Sequence, residues 1–264
     1  MQSADTDATT APSGRRPLLA RVLLGLTLGG LLVGIALEAI DAARTGDPLL
    51  ASGDLVFVLT FGTFPVIGYV VATRQPGNSL GWLMLGIGAV FGFTAFTDSY
   101  ASYAIHGGFG GREAGALVAA LGGWTWVPIV VLPATFLILL FPDGHLPSPR
   151  WRWFARLLAV DLVLISLAII VTPEPLTEVG FPEIQNPLGL EALRPILSAA
   201  LGLIFLIPVG IIGSLVALVL RFRRSRGIER LQLRWLVTAA AIVAVLYTAT
   251  LLVSWNAEFT LLQS

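Results

Sequence analysis

The sequence predicts an all-α fold: a polytopic integral membrane helix bundle of about seven transmembrane helices, with the N-terminus cytoplasmic. Three observations predict it. Of 264 residues, 56% are hydrophobic and only 12% are charged, against the ~25% charged that soluble domains carry, and the mean hydropathy is +0.85. Seven stretches meet the criterion of about 20 mainly apolar residues needed to cross a ~30 Å hydrocarbon core. The basic residues, all sixteen of them arginine, alternate in density from one connection to the next.

The seven stretches are 18–40, 55–72, 80–104, 117–141, 154–171, 196–220 and 236–254. Each is apolar all round and so reads as a span rather than a surface-lying helix. Strands would leave backbone groups unsatisfied in lipid. Before the first lies a polar tail, residues 1–17, rich in Ser, Thr, Asp and Ala and read as disordered. Arg15 and Arg16 have the look of a secretory or twin-arginine signal, but the apolar run is too long for one and no Ala-x-Ala follows, so it is a retained first helix. Pro65, Pro128, Pro133 and Pro208 fall inside spans, where kinks are expected. Residues 18–254 thus form the bundle and 255–264 a short extracytoplasmic tail.

Orientation follows from the arginines. One set of connections holds Arg15, Arg16, Arg21, Arg74, Arg150, Arg152, Arg156, Arg221, Arg223, Arg224, Arg226, Arg230 and Arg234; the alternate set holds only Arg44, Arg112 and Arg194. The first set is cytoplasmic and the second, rich in Asp and Glu, is external. Trp82, Trp151, Trp153 and Trp235 fall at inner ends and Trp255 at an outer end, as an interfacial belt requires. The longest outer loop, 172–195, is too short for a folded ligand-binding domain, so a stimulus is read by helices, short loops or lipid.

Composition also excludes functions. Equal numbers of acids and bases argue against nucleic-acid binding by bulk charge. Zero cysteines and two histidines leave no disulfide, thiolate metal site or cysteine nucleophile. No GxxxxGK[ST] loop, GxSxG elbow or HExxH helix occurs, so no catalytic residue, metal or cofactor is assigned.

The residues that stand out are charges in apolar runs, which are costly and hence functional candidates. Asp161 lies deepest; Asp98 and Glu38 approach the outer end, where side chains reach water. Each is read either as a buried hydrogen-bonded structural group or as a sensing group. His106 is read as a solvated loop residue. Gly25/Gly29, Gly30/Gly34 and Gly88/Gly92 have the spacing that lets helices approach closely. Arg150, Arg152, Arg226, Glu229, Arg230 and Arg234 lie in inner connections, where they either anchor topology beside anionic headgroups or dock a cytoplasmic partner.

Four motifs occur in order: Gln75-Pro-Gly-Asn-Ser-Leu-Gly-Trp-Leu83, Leu140-Phe-Pro-Asp-Gly-His-Leu-Pro-Ser-Pro-Arg-Trp151, Asn186-Pro-Leu-Gly189 and Arg226-Gly-Ile-Glu-Arg-Leu-Gln-Leu-Arg-Trp-Leu236. Physically, the Pro-Gly-Asn and Pro-Asp-Gly runs are turn formers, and Asn78 or Ser79 is placed to cap the third helix. As an ordered set, the motifs resemble the N-terminal membrane region of sensor histidine kinases of high-GC Gram-positive bacteria, with His145 where those proteins more often have arginine. The resemblance implies a membrane sensor- or receptor-like module in a bacterial cytoplasmic membrane, signalling through a two-component system. Members usually continue into an eighth helix and then dimerisation and ATP-binding domains. No phosphoacceptor or ATP-binding domain is found in these 264 residues, so phosphotransfer is not assigned to them. The partners implied are the lipid bilayer, a histidine kinase or other membrane protein, and a second copy in a homodimer. The alternative is a stand-alone membrane protein with a structural or partner-binding role. A transporter ranks below both, since no repeated halves or paired intramembrane charges are seen.

Overall fold

The computed structural model describes residues 15–46, 52–227, 230–231, 233–235 and 237–238. The seventh segment apart from residues 237–238, Glu229, Trp255, residues 1–14 and the 255–264 tail lie outside them. The chain divides into two compact units, the second beginning at Val216.

In the first unit, α1 (Arg15–Thr45), α2 (Ser52–Arg74) and α3 (Ser79–Ile105) are long helices; α1 starts at Arg15, so residues 15–17 are helical rather than tail. The fourth hydrophobic segment is broken into α4 (Gly111–Gly122), α5 (Trp126–Val131), a π-helical turn (Leu132–Leu137) and α6 (Ile138–Leu140). Helix α7 (Trp151–Val171) follows. A hairpin of β1 (Pro175–Leu176) and β2 (Phe181–Gln185), antiparallel, then leads to α8 (Arg194–Gly202) and α9 (Leu206–Arg224). Five of the described helical stretches are long and apolar enough to cross a membrane: Arg16–Arg44, Ser79–Ile105, Gly111–Leu140, Trp151–Val171 and Glu191–Arg224. The protein is a multi-pass, helical membrane protein.

The lipid-facing character is visible in what is not buried. Leu26, Leu32, Leu157, Ile196 and Phe205 are all more than 60% exposed, which is unfavourable in water at ~25 cal/mol per Å² and costs nothing against lipid tails. With no hydrophobic drive between helices in lipid, close backbone approach has to hold the bundle.

Helix α3 is the hub and packs against α1, α2 and α4. It does so through glycine. A Cβ on Gly92 would meet the Thr27 carbonyl oxygen at 2.6 Å, and one on Gly34 the Ala95 carbonyl oxygen at 2.7 Å. Gly88 seats the buried Pro65 ring of α2, 2.6 Å from where its Cβ would lie. Gly25 and Gly29 have nothing within 4 Å. Two of the three predicted glycine pairs therefore lie at helix crossings and one does not. Helices consecutive in the chain run antiparallel, Gly81 near the start of α3 abutting Ala72 near the end of α2 and Gly122 at the end of α4 abutting Thr97 in α3, whereas α1 and α3 run parallel, Gly30 meeting Gly92 and Gly34 meeting Ala95.

At one end of this unit the first two motifs meet. Asn78 is the N-cap of α3 and accepts from the Leu80 N–H at 3.0 Å. Gly144, at φ +78°, lies directly against the Asn78 side chain and the Ser79 amide. The Asp143 carboxylate accepts from the His145 N–H (3.0 Å), and Trp82 donates its indole N–H to the Pro76 carbonyl (3.1 Å). In the second unit, the guanidinium of Arg230 lies 5.4 Å from the Phe222 ring centre and Leu233 is fully buried.

Candidate functional site

The end of α7 needs partners for its last carbonyl groups, and Asn186 supplies them. Its Nδ2 donates to the carbonyls of Ile170 (2.9 Å) and Thr172 (2.8 Å), while its Oδ1 accepts from the Leu188 N–H (2.9 Å). The Leu190 N–H adds a bond to the Val171 carbonyl at 2.9 Å. Gly189 is needed because any Cβ would sit 2.7 Å from Pro173 Cα. The third motif is thus the clasp that closes the 172–195 segment onto α7. That segment is not a bare connection: Leu176 and Ile184 of the hairpin are buried against Ala101, Ala116, Ala119 and Ala120.

Under this hairpin lies a cavity of about 620 Å³, within the ~300–1,000 Å³ of small-molecule sites. Ala120, Gly123 and Trp126 form one wall, Ile169 of α7 and Ile204 another, and Leu176 and Val179 the roof. Glu174 and Glu178 stand at it as the charged groups. Arg194 engages Glu174 (2.5 Å), Glu191 (2.7 Å) and the Pro173 carbonyl (3.1 Å). The indole N–H groups of Trp82 and Trp124 are bonded to backbone carbonyls, whereas that of Trp126 has no hydrogen-bond partner among the described residues.

A second polar group sits where α1 and α3 end side by side. The Ser102 hydroxyl donates to Asp41 Oδ2 (2.7 Å), and His106 Nδ1 lies 3.0 Å from the same oxygen. Asp41 is 9% exposed at its side chain and His106 48%. His106, expected in a solvated loop, is instead the C-cap of α3 and is tied to α1. The residue types are those of a serine-hydrolase triad, but the wiring differs: serine and histidine converge on one carboxylate oxygen, and the hydroxyl donates to that carboxylate rather than to a histidine oriented by it. The arrangement is a clasp between two helices. Asp41→Ala is expected to lower stability by about 1.5–3 kcal/mol. Asp41→Ala/Ser102→Ala should lose less than the sum of the singles, as thermal unfolding in detergent will measure. Beside it, Glu38 and Asp98 line one cavity of about 350 Å³ with Ser99 and Ser102. The structure therefore brings together two acids that sequence spacing placed in separate helices.

Asp161 is 7% exposed and shares a face of α7 with buried Leu158 and Ile165. Among the described residues, its Oδ1 and the Ser166 hydroxyl are buried with no hydrogen-bond partner. Asp161 is not joined to Glu38 and Asp98, whose cavity is lined by α1, α2 and α3. Arg150 and Arg152 are exposed at the start of α7. In the second unit, Arg226, Arg230 and Arg234 are exposed, with Arg230 and Arg234 lining a cavity of about 420 Å³. Glu229 is not among the described residues.

Sequence reasoning missed Trp126, Glu178, Ser102 and the true setting of His106. The 172–195 loop carried a signal for its own order in Asn186-Pro-Leu-Gly189, but the partner carbonyls lie at the end of α7 and the cavity draws on α4, α5, α7, β1 and α8. No family model, no curated protein and no solved structure matches this chain.

Proposed function

We propose that this membrane protein is a sensor- or receptor-like module, of the kind that forms the input region of two-component histidine kinases, in a bacterial cytoplasmic membrane. The observation that carries the reading is the position of the hairpin-roofed cavity on α7. Ile169 and Thr172, near the end of that helix, line the cavity. Asp161, with one buried oxygen unpartnered among the described residues, sits in its middle, and Arg150 and Arg152 flank its start. A molecule entering the cavity touches one end of a helix whose other end carries the arginines read as a docking surface for a histidine kinase or other membrane partner. A homodimer is a further way to couple the two.

The orientation with a cytoplasmic N-terminus and seven spans belongs to the same reading. Helices α1 and α3 end together, at the end that holds Arg44, and the hairpin packs on α3 and α4 there. Arg74, Arg150, Arg152 and Arg156 lie toward the opposite end, which is the cytoplasmic one by arginine density.

Two measurements test this. Deleting the gene is expected to change the phosphorylation of a response regulator in the native cell; an unchanged state across all regulators refutes the sensor reading. Asp161→Asn keeps shape and removes charge. It is expected to insert normally, with stability within about 1 kcal/mol of wild type, and to shift regulator phosphorylation severalfold. Normal output from a normally inserted variant removes Asp161 from the mechanism.

A further inference from the structure

We propose that the cavity beneath the hairpin binds an amphipathic organic cation, held between the indole of Trp126 and the carboxylate of Glu178. The cavity itself is the first ground: about 620 Å³, with an aliphatic and aromatic lining and few polar groups. An indole and a carboxylate lining one apolar cavity are the combination that attracts a weakly hydrated cation such as an alkylammonium or phosphonium.

The charge balance around it is the second ground. The 172–195 segment holds Glu174, Glu178, Glu183 and Glu191 against Arg194. Arg194 is shared by Glu174 and Glu191, so it is not available to an incoming anion. The other two arginines toward this end are engaged as well: Arg112 lies 3.8 Å from Glu183, and the Arg44 guanidinium lies 4.8 Å from the Tyr103 ring centre. Glu178 has no ion-pair partner among the described residues. An anionic ligand would meet the unpaired Glu178 carboxylate and, among the described residues, no unengaged arginine here. A neutral apolar one would fill the walls but leave the Glu178 carboxylate unused. A cation with an apolar body satisfies both.

Two of the polar side chains that line the cavity are already engaged. Asn186 uses its amide on α7 and on Leu188, and the Thr172 hydroxyl donates to the Ala168 carbonyl. Beside Glu178 that leaves the Thr177 hydroxyl and the Trp126 indole N–H, fewer donors and acceptors than the many hydroxyls of a sugar or a nucleotide require. Recognition is therefore by shape, ring face and charge, and one cation chemistry covers two sources: a free hydrophobic ammonium compound and the choline headgroup of a lipid.

The inference deepens the sensor reading, but it is tested by binding alone. A failure to bind overturns the ligand class, while a failure of regulator phosphorylation to respond overturns the sensor reading; the two outcomes are read separately. The probe is tetraphenylphosphonium, compared with tetraphenylborate, an ion of nearly equal size and opposite sign. Saturable binding to the full chain in detergent is measured by equilibrium dialysis. The phosphonium is expected to bind at least ~10-fold more tightly than the borate. Glu178→Gln should weaken it about 5-fold and Trp126→Ala about 10-fold, while Glu113→Gln, outside the cavity, leaves it unchanged. Glu178→Gln alters an exposed side chain and keeps the test sound if Trp126→Ala disturbs folding. Equal binding of the two ions, or phosphonium binding indifferent to Glu178→Gln, overturns the proposal. In nanodiscs of fixed surface charge, weaker phosphonium binding when phosphatidylcholine replaces a neutral galactolipid assigns the site to the headgroup; no weakening assigns it to a free cation.

Discussion

Gly92→Val is expected to separate α1 from α3 and to be severely damaging to the first unit. The first added carbon meets Thr27 at its carbonyl oxygen (2.6 Å) and its Cα (2.7 Å), and both belong to backbone that cannot swing aside. Thr27 is itself fully buried, and its hydroxyl is bonded to the Leu23 carbonyl at 2.9 Å. The helices must move apart, breaking the packing that substitutes for a hydrophobic drive in lipid. We expect a loss of about 3 kcal/mol or more, read as a fall of roughly 6 °C or more in Tm in detergent. Gly25→Ala and Gly29→Ala, on the open face, should stay within about 0.5 kcal/mol of wild type. Equal effects at Gly25 and Gly92 would remove the crossing from the account.

Asn186→Ala is expected to release the hairpin. One side chain serves the carbonyls of Ile170 and Thr172 and the amide of Leu188; its removal leaves the Ile170 carbonyl and the Leu188 amide short of a partner, while the Thr172 carbonyl keeps only the Glu174 N–H. Such losses cost about 2–3 kcal/mol together when water replaces only part of what is lost. The cavity roof depends on this clasp, so limited proteolysis should cut within 172–195 in the variant under conditions that spare the wild type. Asn186→Asp keeps the acceptor for Leu188 but turns two donors into acceptors facing carbonyl oxygens, and should be as damaging. An intact hairpin in both variants would show that Leu176 and Ile184 alone hold it.

Much of this architecture was legible in the residues. Among the described residues, hydrophobic length alone located the long helical stretches, because lipid demands that each span satisfy its own backbone. Asn78 was readable as a cap because capping chemistry is local. Gly30/Gly34 and Gly88/Gly92 were readable as close-approach pairs, but nothing in their spacing separates them from Gly25/Gly29; only the position of α3 does. The same limit applies to the polar groups. Asp41, Ser102 and His106 lie up to 65 residues apart, and Trp126 and Glu178 lie on different elements. Spacing along a chain carries no information about meetings of that kind. Asp161 stood out from sequence because a charge in an apolar run is conspicuous by itself. Its isolation from Glu38 and Asp98 did not, since that depends on which helices are neighbours.

The π-helical turn at Leu132–Leu137 has a consequence for the fourth span as a whole. A π-turn accommodates one residue more than an α-turn, and each residue of an α-helix advances the azimuth by about 100°. The half of the span that carries Trp126 and the half that carries fully buried Leu139 are therefore out of phase with a continuous α-helix, and each faces its own neighbours only because of that offset. Thr135, buried within the turn, donates to the Val131 carbonyl at 2.6 Å and helps to hold it. The length of this stretch is accordingly fixed to the residue. A single deletion there would leave hydropathy and span length nearly untouched, yet it would rotate one half against the other and carry Trp126 off the cavity wall.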